Sequence, residues 1–330
     1  MKVVYIPNPS RNLIRQTKNS SGIWGNYKFI FSNEQPYDYI VVLDDLQASI
    51  ECKVDKAHRL VFLGEPPYIK VYNKKYLNQF GHIFGCSKTI HLPGYSISHP
   101  NLPWMIGENL KENSHQIIGD SYMTYDDFKN DSLIEKSRMN KLCIITSNKR
   151  FTRGHKRRVD FVEKLMKEEP SIIDVYGNGY NSIPDKFDIL KKYKYTLVIE
   201  NCQYPNYWTE KLGDSYLAGC YPIYCGCPNI EDYFDCNSYT KISISNFNLS
   251  VETIKKTISD NIYTQAIEFI KKSKEQVLDQ YNIFAVIASV LDGIKIDNTC
   301  NRVQSILHPQ EYSLLERIKL SIAQRYDIVL

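Results

Sequence analysis

The stretch Tyr195–Phe234 has the sequence YTLVIENCQYPNYWTEKLGDSYLAGCYPIYCGCPNIEDYF. Residues 196–199 form a short β-branched apolar run, which predicts a buried strand. A polar, aromatic loop follows, and Thr209-Glu-Lys211 then opens a segment with apolar residues at helical spacing that ends at Gly219. A second apolar run, 221–225, predicts another strand. The order of strand, loop, helix and strand indicates an α/β domain with a parallel sheet, and it places the reactive side chains in and just after the loop.

Lys211 stands in the first turn of the predicted helix. The N-terminus of a helix carries free backbone N–H groups and a partial positive charge, so a lysine there opposes the helix dipole. This position favours a role for Lys211 as an anion ligand over a role in stabilising the helix. Glu200, at the end of the preceding strand, is an acid that could orient Lys211 through a buried pair.

The polar residues of this stretch and the residues after them have a fixed order and spacing. They are Glu200-Asn201-Cys202-Gln203, Tyr207, Thr209-Glu210-Lys211, Ala218-Gly219 and Pro222-Ile223-Tyr224. Such a pattern is much more specific than a lone glycine motif. It resembles the signature of glycosyltransferase family 10, the α-1,3/4-fucosyltransferases, and the chain is similar to the soluble bacterial members.

The resemblance implies the α/β fold class called GT-B, in which two Rossmann-like domains face each other across a cleft, here with C-terminal helices. It also implies an activity: inverting transfer of L-fucose from GDP-L-fucose to a hydroxyl of an oligosaccharide or glycolipid acceptor. The rest of the chain can be compared with both expectations.

The composition is compatible with such an enzyme but does not identify it. A chain of 330 residues predicts about two domains, and 43% hydrophobic with 24% charged residues is typical of a globular protein with a sizeable core. The net charge of +4 gives no reason to invoke nucleic acid. The opening apolar run is too short for a signal peptide, and no run reaches about 18 residues, so we expect a cytoplasmic protein. The nine cysteines lack paired spacing, which favours reduced thiols over zinc or disulfides.

Apolar runs in the first part of the chain predict four parallel strands, at 3–6, 39–43, 60–63 and 82–85. After a polar segment, 108–140, alternating β and α patterns predict a second parallel sheet. Its expected elements are strands 142–146, 172–176, 196–199 and 221–225, and helices 156–168, 185–192 and 209–218. The expected domains are an acceptor-binding domain at 1–135, a GDP-sugar-binding domain at 136–295 and a helical tail at 296–330.

The tail contains an amphipathic stretch, 311–322, with few basic residues. Two alternatives follow from this pattern. The stretch forms a helix that packs on the body of the protein, or it makes peripheral contact with the inner face of the membrane.

Glu65 is the candidate general base. An inverting sugar transfer needs a group that removes the proton of the acceptor hydroxyl as it attacks. Gly64-Glu65-Pro66-Pro67 directly follows the predicted strand 60–63, so Glu65 stands at the carboxyl end of a parallel strand, where ligands bind in open α/β sheets. By the resemblance, this segment matches the family's strand-end glutamate, the general base. The alternatives are a solvated loop acid and a residue that caps the next helix.

The charge on the departing GDP needs either a divalent metal, often held by an Asp-x-Asp motif, or cations of the protein. Asp44-Asp45 and Asp126-Asp127 lack that spacing, and we expect both pairs to be solvated caps. We therefore expect no metal site and no required cofactor, a divalent metal being at most stimulatory. The basic segment 149–158 is placed to bind the diphosphate. By the resemblance, Arg158 matches the family's phosphate-binding arginine. The competing residues are Arg153, Lys156 and Arg157.

The remaining candidates concern the nucleotide sugar. By the resemblance, Glu210 matches the family residue that holds the ribose hydroxyls, and Asn201 and Tyr207 match residues that contact the donor. Asparagine is also a common turn residue, and a chain with 25 tyrosines uses many of them on surfaces.

The hypothesis is therefore an α-1,3-fucosyltransferase of bacterial surface glycan synthesis, such as that of lipopolysaccharide. Its expected partners are a GDP-sugar donor and a glycan acceptor, with no nucleic acid. Two alternatives remain: the same scaffold using another GDP-sugar, and a non-catalytic anion or nucleic-acid binding module built on segment 149–158.

Overall fold

The computed structural model of the chain describes residues 1–9, 11–110, 117–130, 137–294 and 303–326. Contacts divide it into two compact units. The first contains Met1–Leu102 and Asn282–Leu330, and the second contains Pro103–Tyr281.

Strands and α-helices alternate between residues 125 and 225, whereas strands predominate before this part of the chain and helices after it. The strands are β1 (Lys2–Tyr5), β2 (Ile23–Trp24), β3 (Tyr27–Ile30), β4 (Tyr39–Leu43), β5 (Ile50–Cys52), β6 (Arg59–Phe62), β7 (His82–Gly85), β8 (Tyr95–Ile97), β9 (Glu108–Leu110), β10 (Ile117–Tyr122), β11 (Met139–Ile145), β12 (Ile173–Tyr176), β13 (Tyr193–Ile199), β14 (Tyr221–Cys225), β15 (Thr240–Lys241) and β16 (Ser305–Leu307). The α-helices are α1 (Lys74–Leu77), α2 (Tyr125–Lys129), α3 (Arg153–Glu168), α4 (Phe187–Leu190), α5 (Glu210–Leu217), α6 (Phe247–Ser259), α7 (Ile262–Gln265), α8 (Ile267–Glu275), α9 (Ile283–Gly293) and α10 (Leu314–Tyr326), with a π-helical turn at Gln276–Gln280.

The first unit is built on a sheet with the strand order β2-β3-β1-β4-β6-β7-β8, in which only β2 pairs antiparallel to its neighbour. Alternate residues of each strand face opposite sides of the sheet. On one side packs α9, with the ring of Phe284 4.7 Å from that of Phe29 in β3. Tyr76 of α1 and Leu307 of β16 belong to the core on the other side. The four predicted strands are present, and β3 and β8 add to the parallel part of the sheet.

The second unit has a sheet of five parallel strands in the order β12-β11-β13-β14-β15. The predicted strands and helices of this half are present, with ends that differ by up to three residues. Its core also includes Trp104 and Phe128, which precede β11 and whose rings meet edge to face at 5.0 Å.

The units differ from the expected domains at both boundaries. Residues 103–130 were expected in the first domain, but Trp104 and Phe128 bury their rings in the core of the second unit. Helix α9 was expected in the second domain, but its apolar face covers the sheet of the first. The tail is not a separate domain, because β16 pairs antiparallel with β5 and so joins the first unit.

Helix α10 contacts the first unit in its last turns. Ala323 is buried there, and the side-chain amide of Gln324 donates to the carbonyl of Ile69 at 2.9 Å. Leu314, Ile318 and Ile322 are exposed by 77%, 48% and 37%. The expected amphipathic helix is present, but its apolar stripe does not pack on the body. Among the helices that the structure describes, none is both long and apolar enough to cross a bilayer.

Candidate functional site

The candidate site of the second unit lies at the carboxyl ends of β11 and β13. The chain leaves these neighbouring strands towards opposite edges of the sheet, which makes the gap between them the topological switch point where α/β proteins bind ligands. A small cavity lies at this place, lined by 144–146 of β11 and the loop after it, by 196–199 of β13, and by Lys186, Lys211 and Asp214 among others.

Two glycines bring the loops around this gap into close contact. A Cβ on Gly154, in the first turn of α3, would lie 1.9 Å from the carbonyl oxygen of Asn201. A Cβ on Gly177 would lie 2.0 Å from the carbonyl oxygen of Thr146, and Gly177 also has a φ of 111°. No side chain fits at either place, so glycine allows the loops after β11, β12 and β13 to converge.

Lys211 is held by the buried carboxylate of Glu200. The Glu200 side chain is fully buried and accepts hydrogen bonds from the backbone N–H of Thr209 at 2.9 Å and from its hydroxyl at 2.7 Å. Thr209 is also the N-cap of α5. The ammonium of Lys211 lies 3.5 Å from a carboxylate oxygen of Glu200 and 3.2 Å from the Thr209 hydroxyl. Glu200 therefore orients Lys211 through a buried pair, as one reading of the sequence suggested.

Glu210 is the second acid beside Lys211, at 3.5 Å. Burial opposes its ionisation, but the charges of Lys211 and Lys186 hold the pKa of Glu210 below its ordinary value. Burial raises the pKa of Glu200 instead, and Lys211 only partly offsets this effect. Of the two acids, Glu210 is thus the one whose carboxylate form the surroundings favour more strongly, and a carboxylate accepts hydrogen bonds from hydroxyl groups.

Arg158 and Asn201 meet in this site. The Arg158 side chain is buried, donates to the amide oxygen of Asn201, and donates to the carbonyl of Ser147 at 3.3 Å. Burial lowers the pKa of Arg158, while Glu200 and Tyr207 act in the opposite direction. Asn201 is therefore a residue that fixes the guanidinium, and it joins the loop after β13 to helix α3.

The surroundings of His155 are electropositive, as its lowered pKa indicates. Its imidazole lies 2.7 Å from the hydroxyl of Thr152, the N-cap of α3. Burial and the nearby charges of Arg158, Lys211 and Lys149 lower the pKa of His155 to about 4. Cations that suppress the protonation of a histidine also attract an anion, and the N-terminus of α3 adds to their field.

The loop after β13 is held in one conformation. Asn206 has a φ of 63°, in the left-handed region. Its side-chain oxygen accepts from Asn229 at 2.9 Å and from the Tyr233 hydroxyl at 2.8 Å. Tyr207, next in the chain, is buried and lies close enough to Arg158 to affect its pKa. Asn206 thus adopts a left-handed backbone conformation, which glycine adopts most readily, and its side-chain hydrogen bonds stabilise that conformation.

The structure therefore brings together five of the six predicted site residues, all in the second unit. It separates Arg158 from its competitors, because Arg153, Lys156 and Arg157 are exposed on α3 whereas Arg158 is buried. Within the described parts of the chain, no three histidine, cysteine or acidic side chains form a group that could hold a metal ion.

Glu65, the sixth residue, lies in the first unit, just after β6, and is partly exposed. Its backbone N–H donates to the Tyr72 hydroxyl at 3.1 Å. The neighbouring Gly64 N–H donates to the Asp44 carboxylate at 3.0 Å, and Lys70 bonds the same carboxylate at 2.8 Å. Asp44, which was expected to be a solvated cap, is 35% exposed, and its carboxylate is also an acceptor for the loop that carries Glu65.

Sequence reasoning missed Lys186 and Asp214. The Lys186 ammonium lies 2.6 Å from the Asp214 carboxylate, which is buried and also accepts the backbone N–H groups of Met105 and Ile106. Asp214 stands one helical turn after Glu210, among apolar residues of α5, and an acid on a buried face needs a partner. That signal could have indicated Asp214, but no local pattern marks Lys186.

Residues 133–260 match the family model described as the C-terminal part of glycosyltransferase family 10 (fucosyltransferase). This match, called the family 10 segment below, confirms the resemblance that the sequence motif predicted. The family 10 segment contains Arg158, Asn201, Tyr207, Glu210 and Lys211, whereas Glu65 lies outside it.

Individual relatives agree with this assignment. The chain is 39% identical over 79 residues to a fucosyltransferase-like protein of Arabidopsis thaliana, and 36% identical over 78 residues to an α-(1,3)-fucosyltransferase of Helicobacter pylori. Each match covers 23% of this chain, but only 15% and 16% of these proteins. The chain thus matches only a small part of the length of these curated relatives.

A crystal structure of an α1,3-fucosyltransferase with GDP-fucose resembles the whole chain. The two have a TM-score of 0.50 and 21% sequence identity, over 90% of this chain and 93% of the other. Together with the two parallel sheets, this likeness confirms the predicted α/β fold class, GT-B.

Proposed function

We propose that this protein is an inverting α-1,3-fucosyltransferase that transfers L-fucose from GDP-L-fucose to a hydroxyl of a glycan acceptor. The observation that carries the proposal is the pairing of Lys211 with Glu200 and Glu210 beside the buried Arg158, at the switch point of a family 10 segment. The names of the Helicobacter relative and of the similar crystal structure support the donor and the linkage.

In the second unit, Arg158 and Lys211 bind the diphosphate and stabilise the negative charge that grows on it as the bond to fucose breaks. Both cations are held by other side chains before the donor arrives, so little reorganisation is needed when the charge develops. Their charges are the support for proposing that no metal is required, with a divalent metal at most stimulatory. Glu210, kept as a carboxylate, accepts hydrogen bonds from the ribose hydroxyls.

Asn201 and Tyr207 complete the donor site. Asn201 bonds Arg158 and so fixes the direction of the guanidinium. The buried ring of Tyr207 supplies an edge beside the same cation. In the first unit, Glu65 removes the proton of the acceptor hydroxyl, which attacks the anomeric carbon from the side opposite the diphosphate and inverts its configuration.

The acceptor that we propose is an oligosaccharide or glycolipid of a bacterial surface glycan such as lipopolysaccharide, at the inner face of the membrane. The apolar stripe of α10 supports this location. Leu314, Ile318 and Ile322 are exposed on a helix that also carries Arg317, Lys319 and Arg325, a combination typical of helices that lie in a membrane interface.

The decisive experiment is calorimetric titration of the protein with GDP, GDP-L-fucose and GDP-mannose, in the presence of EDTA and again with a divalent metal. We expect GDP to bind with micromolar affinity in EDTA. In a transfer assay we expect L-fucose to move from GDP-L-fucose to a hydroxyl of a glycan acceptor, with release of GDP and with opposite anomeric configurations in donor and product. Transfer from GDP-mannose alone would identify another GDP-sugar enzyme. Failure to bind any guanosine ligand would refute the proposal, and strongly salt-dependent RNA or DNA binding would then favour the binding module.

A further inference from the structure

The carboxylate of Asp44 lies at the centre of a set of hydrogen bonds around the loop that carries Glu65. Asp44 directly follows β4, the neighbour of β6, and has a φ of 65°, in the left-handed region. Its backbone N–H donates to the carbonyl of Phe62, the last residue of β6, at 2.7 Å. This conformation directs the Asp44 carboxylate to the Gly64 N–H at 3.0 Å.

Gly64 permits this approach. A Cβ on this residue would lie 3.2 Å from the nearer Asp44 oxygen, closer than an ordinary van der Waals contact. The close approach of the Asp44 carboxylate therefore explains on steric grounds why position 64 is a glycine.

Tyr72 connects Asp44 with Glu65 itself. The Tyr72 hydroxyl donates to the same oxygen of Asp44 that accepts the Gly64 N–H, and it accepts the backbone N–H of Glu65 at 3.1 Å. Burial and the Asp44 charge raise the pKa of Tyr72 well above its ordinary value, so the phenol keeps its proton and can donate. The consecutive N–H groups of Gly64 and of Glu65 itself are thus fixed, the first directly by Asp44 and the second through Tyr72.

Lys70 closes the loop on the same carboxylate. The N–H groups of Ile69 and Lys70 both donate to the carbonyl of Pro66, at 2.9 and 3.1 Å, and this turn brings Lys70 back towards β4. Its ammonium lies 2.8 Å from Asp44 and 3.2 Å from Asp45. Both ends of the loop are therefore bonded to Asp44.

We propose that Asp44, acting through Tyr72, is the positioning residue that fixes the Glu65 side chain for proton removal from the acceptor. The proposal rests on the proposed role of Glu65 as the base. Asp44 needs no contact with the sugar, because it acts on the backbone at Gly64 and Glu65 and on the side chain of Lys70 at the other end of the loop. A general base must lie within hydrogen-bond reach of the proton that it removes, and a displacement of about 1 Å can lower the rate about 100-fold.

The test compares Tyr72→Phe and Asp44→Asn with two matched controls. Asp45→Asn changes the adjacent acid, which bonds Lys70 but neither Gly64 nor Tyr72. Tyr37→Phe removes another hydroxyl that accepts a backbone N–H, that of Lys53 at 2.9 Å. We expect Tyr72→Phe and Asp44→Asn to lower kcat for transfer by about 10- to 100-fold. Both controls should keep the wild-type kcat, and all four variants should keep the wild-type Kd for GDP.

A double-mutant cycle separates positioning from a general effect on folding. Glu65→Gln removes the base, so in that background Tyr72→Phe should cause no further loss of kcat. A Tyr72→Phe loss of equal size in both backgrounds, or no loss in the single variant, would overturn the proposal. An unchanged kcat in Glu65→Gln would show instead that the proposed base is wrong, and the proposal would fail with it. Tyr72→Phe keeps the ring, so it can test the proposal even if Asp44→Asn does not fold.

Discussion

Replacing Lys211 by alanine removes the cation that lies between Glu200 and Glu210 in the candidate donor site. Its ammonium lies 3.5 Å from both Glu200 and Glu210, and its side chain is 24% exposed. The Glu200 side chain is fully buried. The substitution therefore has two consequences, one for the diphosphate and one for Glu200, which can be measured separately.

The catalytic consequence follows from the charge that Lys211 supplies. Removing one preorganised partner of a developing negative charge costs about 2.7–4 kcal/mol, or about 100- to 1,000-fold in kcat. We expect a loss of this size in Lys211→Ala, together with weaker GDP binding. Because the Arg158–Asn201 contact does not involve Lys211, the variant should keep Arg158 in place.

The consequence for stability depends on pH. At 3.5 Å and an effective dielectric constant of about 20, each Coulomb attraction has a gross size of about 5 kcal/mol, most of which is offset by the cost of desolvation. Without Lys211 the pKa of Glu200, which burial already raises, moves further up. The native state then binds more protons than the unfolded chain above the ordinary pKa of glutamate, so stability falls as pH rises through this range. The difference from wild type should be about 1–3 kcal/mol at pH 8 and smaller at pH 5.

Transfer kinetics measure the first consequence, and amide hydrogen exchange of α5 at pH 5 and pH 8 measures the second. Adding Glu200→Gln to Lys211→Ala should restore protection of α5, because the buried charge is gone, but it should not restore kcat. Lys241→Ala, at an exposed lysine paired with Glu231, is the control and should change neither. Wild-type kcat and GDP affinity in Lys211→Ala would refute the reasoning.

Three further predictions concern other parts of the molecule. Arg158→Lys keeps the charge but loses the planar fork that bonds Asn201, so GDP affinity measured by calorimetry should fall about tenfold or more; an unchanged Kd would contradict the role of Arg158. GDP should raise the pKa of His155 from about 4, because it neutralises the surrounding cations. Proton uptake on binding at pH 5, measured in buffers of different ionisation enthalpy, should therefore be present in wild type and absent in His155→Gln. Replacing Ile318 and Ile322 by serine should weaken sedimentation with anionic vesicles at least about tenfold and leave GDP binding unchanged; equal sedimentation would exclude the apolar stripe of α10 as the contact.

The strands show how much of the fold follows from local sequence. β4, β7 and β14 have the predicted bounds, because each is a continuous apolar run buried on both sides of a parallel sheet. That α9 and β16 belong to the first unit was not predicted, because it depends on contacts between residues far apart in the chain. The pairing of Ser305 with Cys52 joins segments that no local pattern relates.

The candidate site likewise has contacts that local sequence predicts and contacts that it does not. Glu200, Thr209 and Lys211 lie within one strand–loop–helix unit, so their spacing alone places them together, and the structure adds only distances. Lys186 with Asp214, and Asp44 with Tyr72, are 28 residues apart in both cases and meet only because different elements converge.

The sequence by itself therefore determined the class of both sheets, the resemblance of the family 10 segment and the residue types that we propose bind an anion, because these depend on periodicity and short spacing. Only the tertiary structure decided that Arg158, among four candidate cations, is the buried one beside Asn201. It also decided that Asp44 is an acceptor for the Glu65 loop. The physical reason is that burial and hydrogen-bond partners depend on which elements pack together, and this packing is not encoded at any single position.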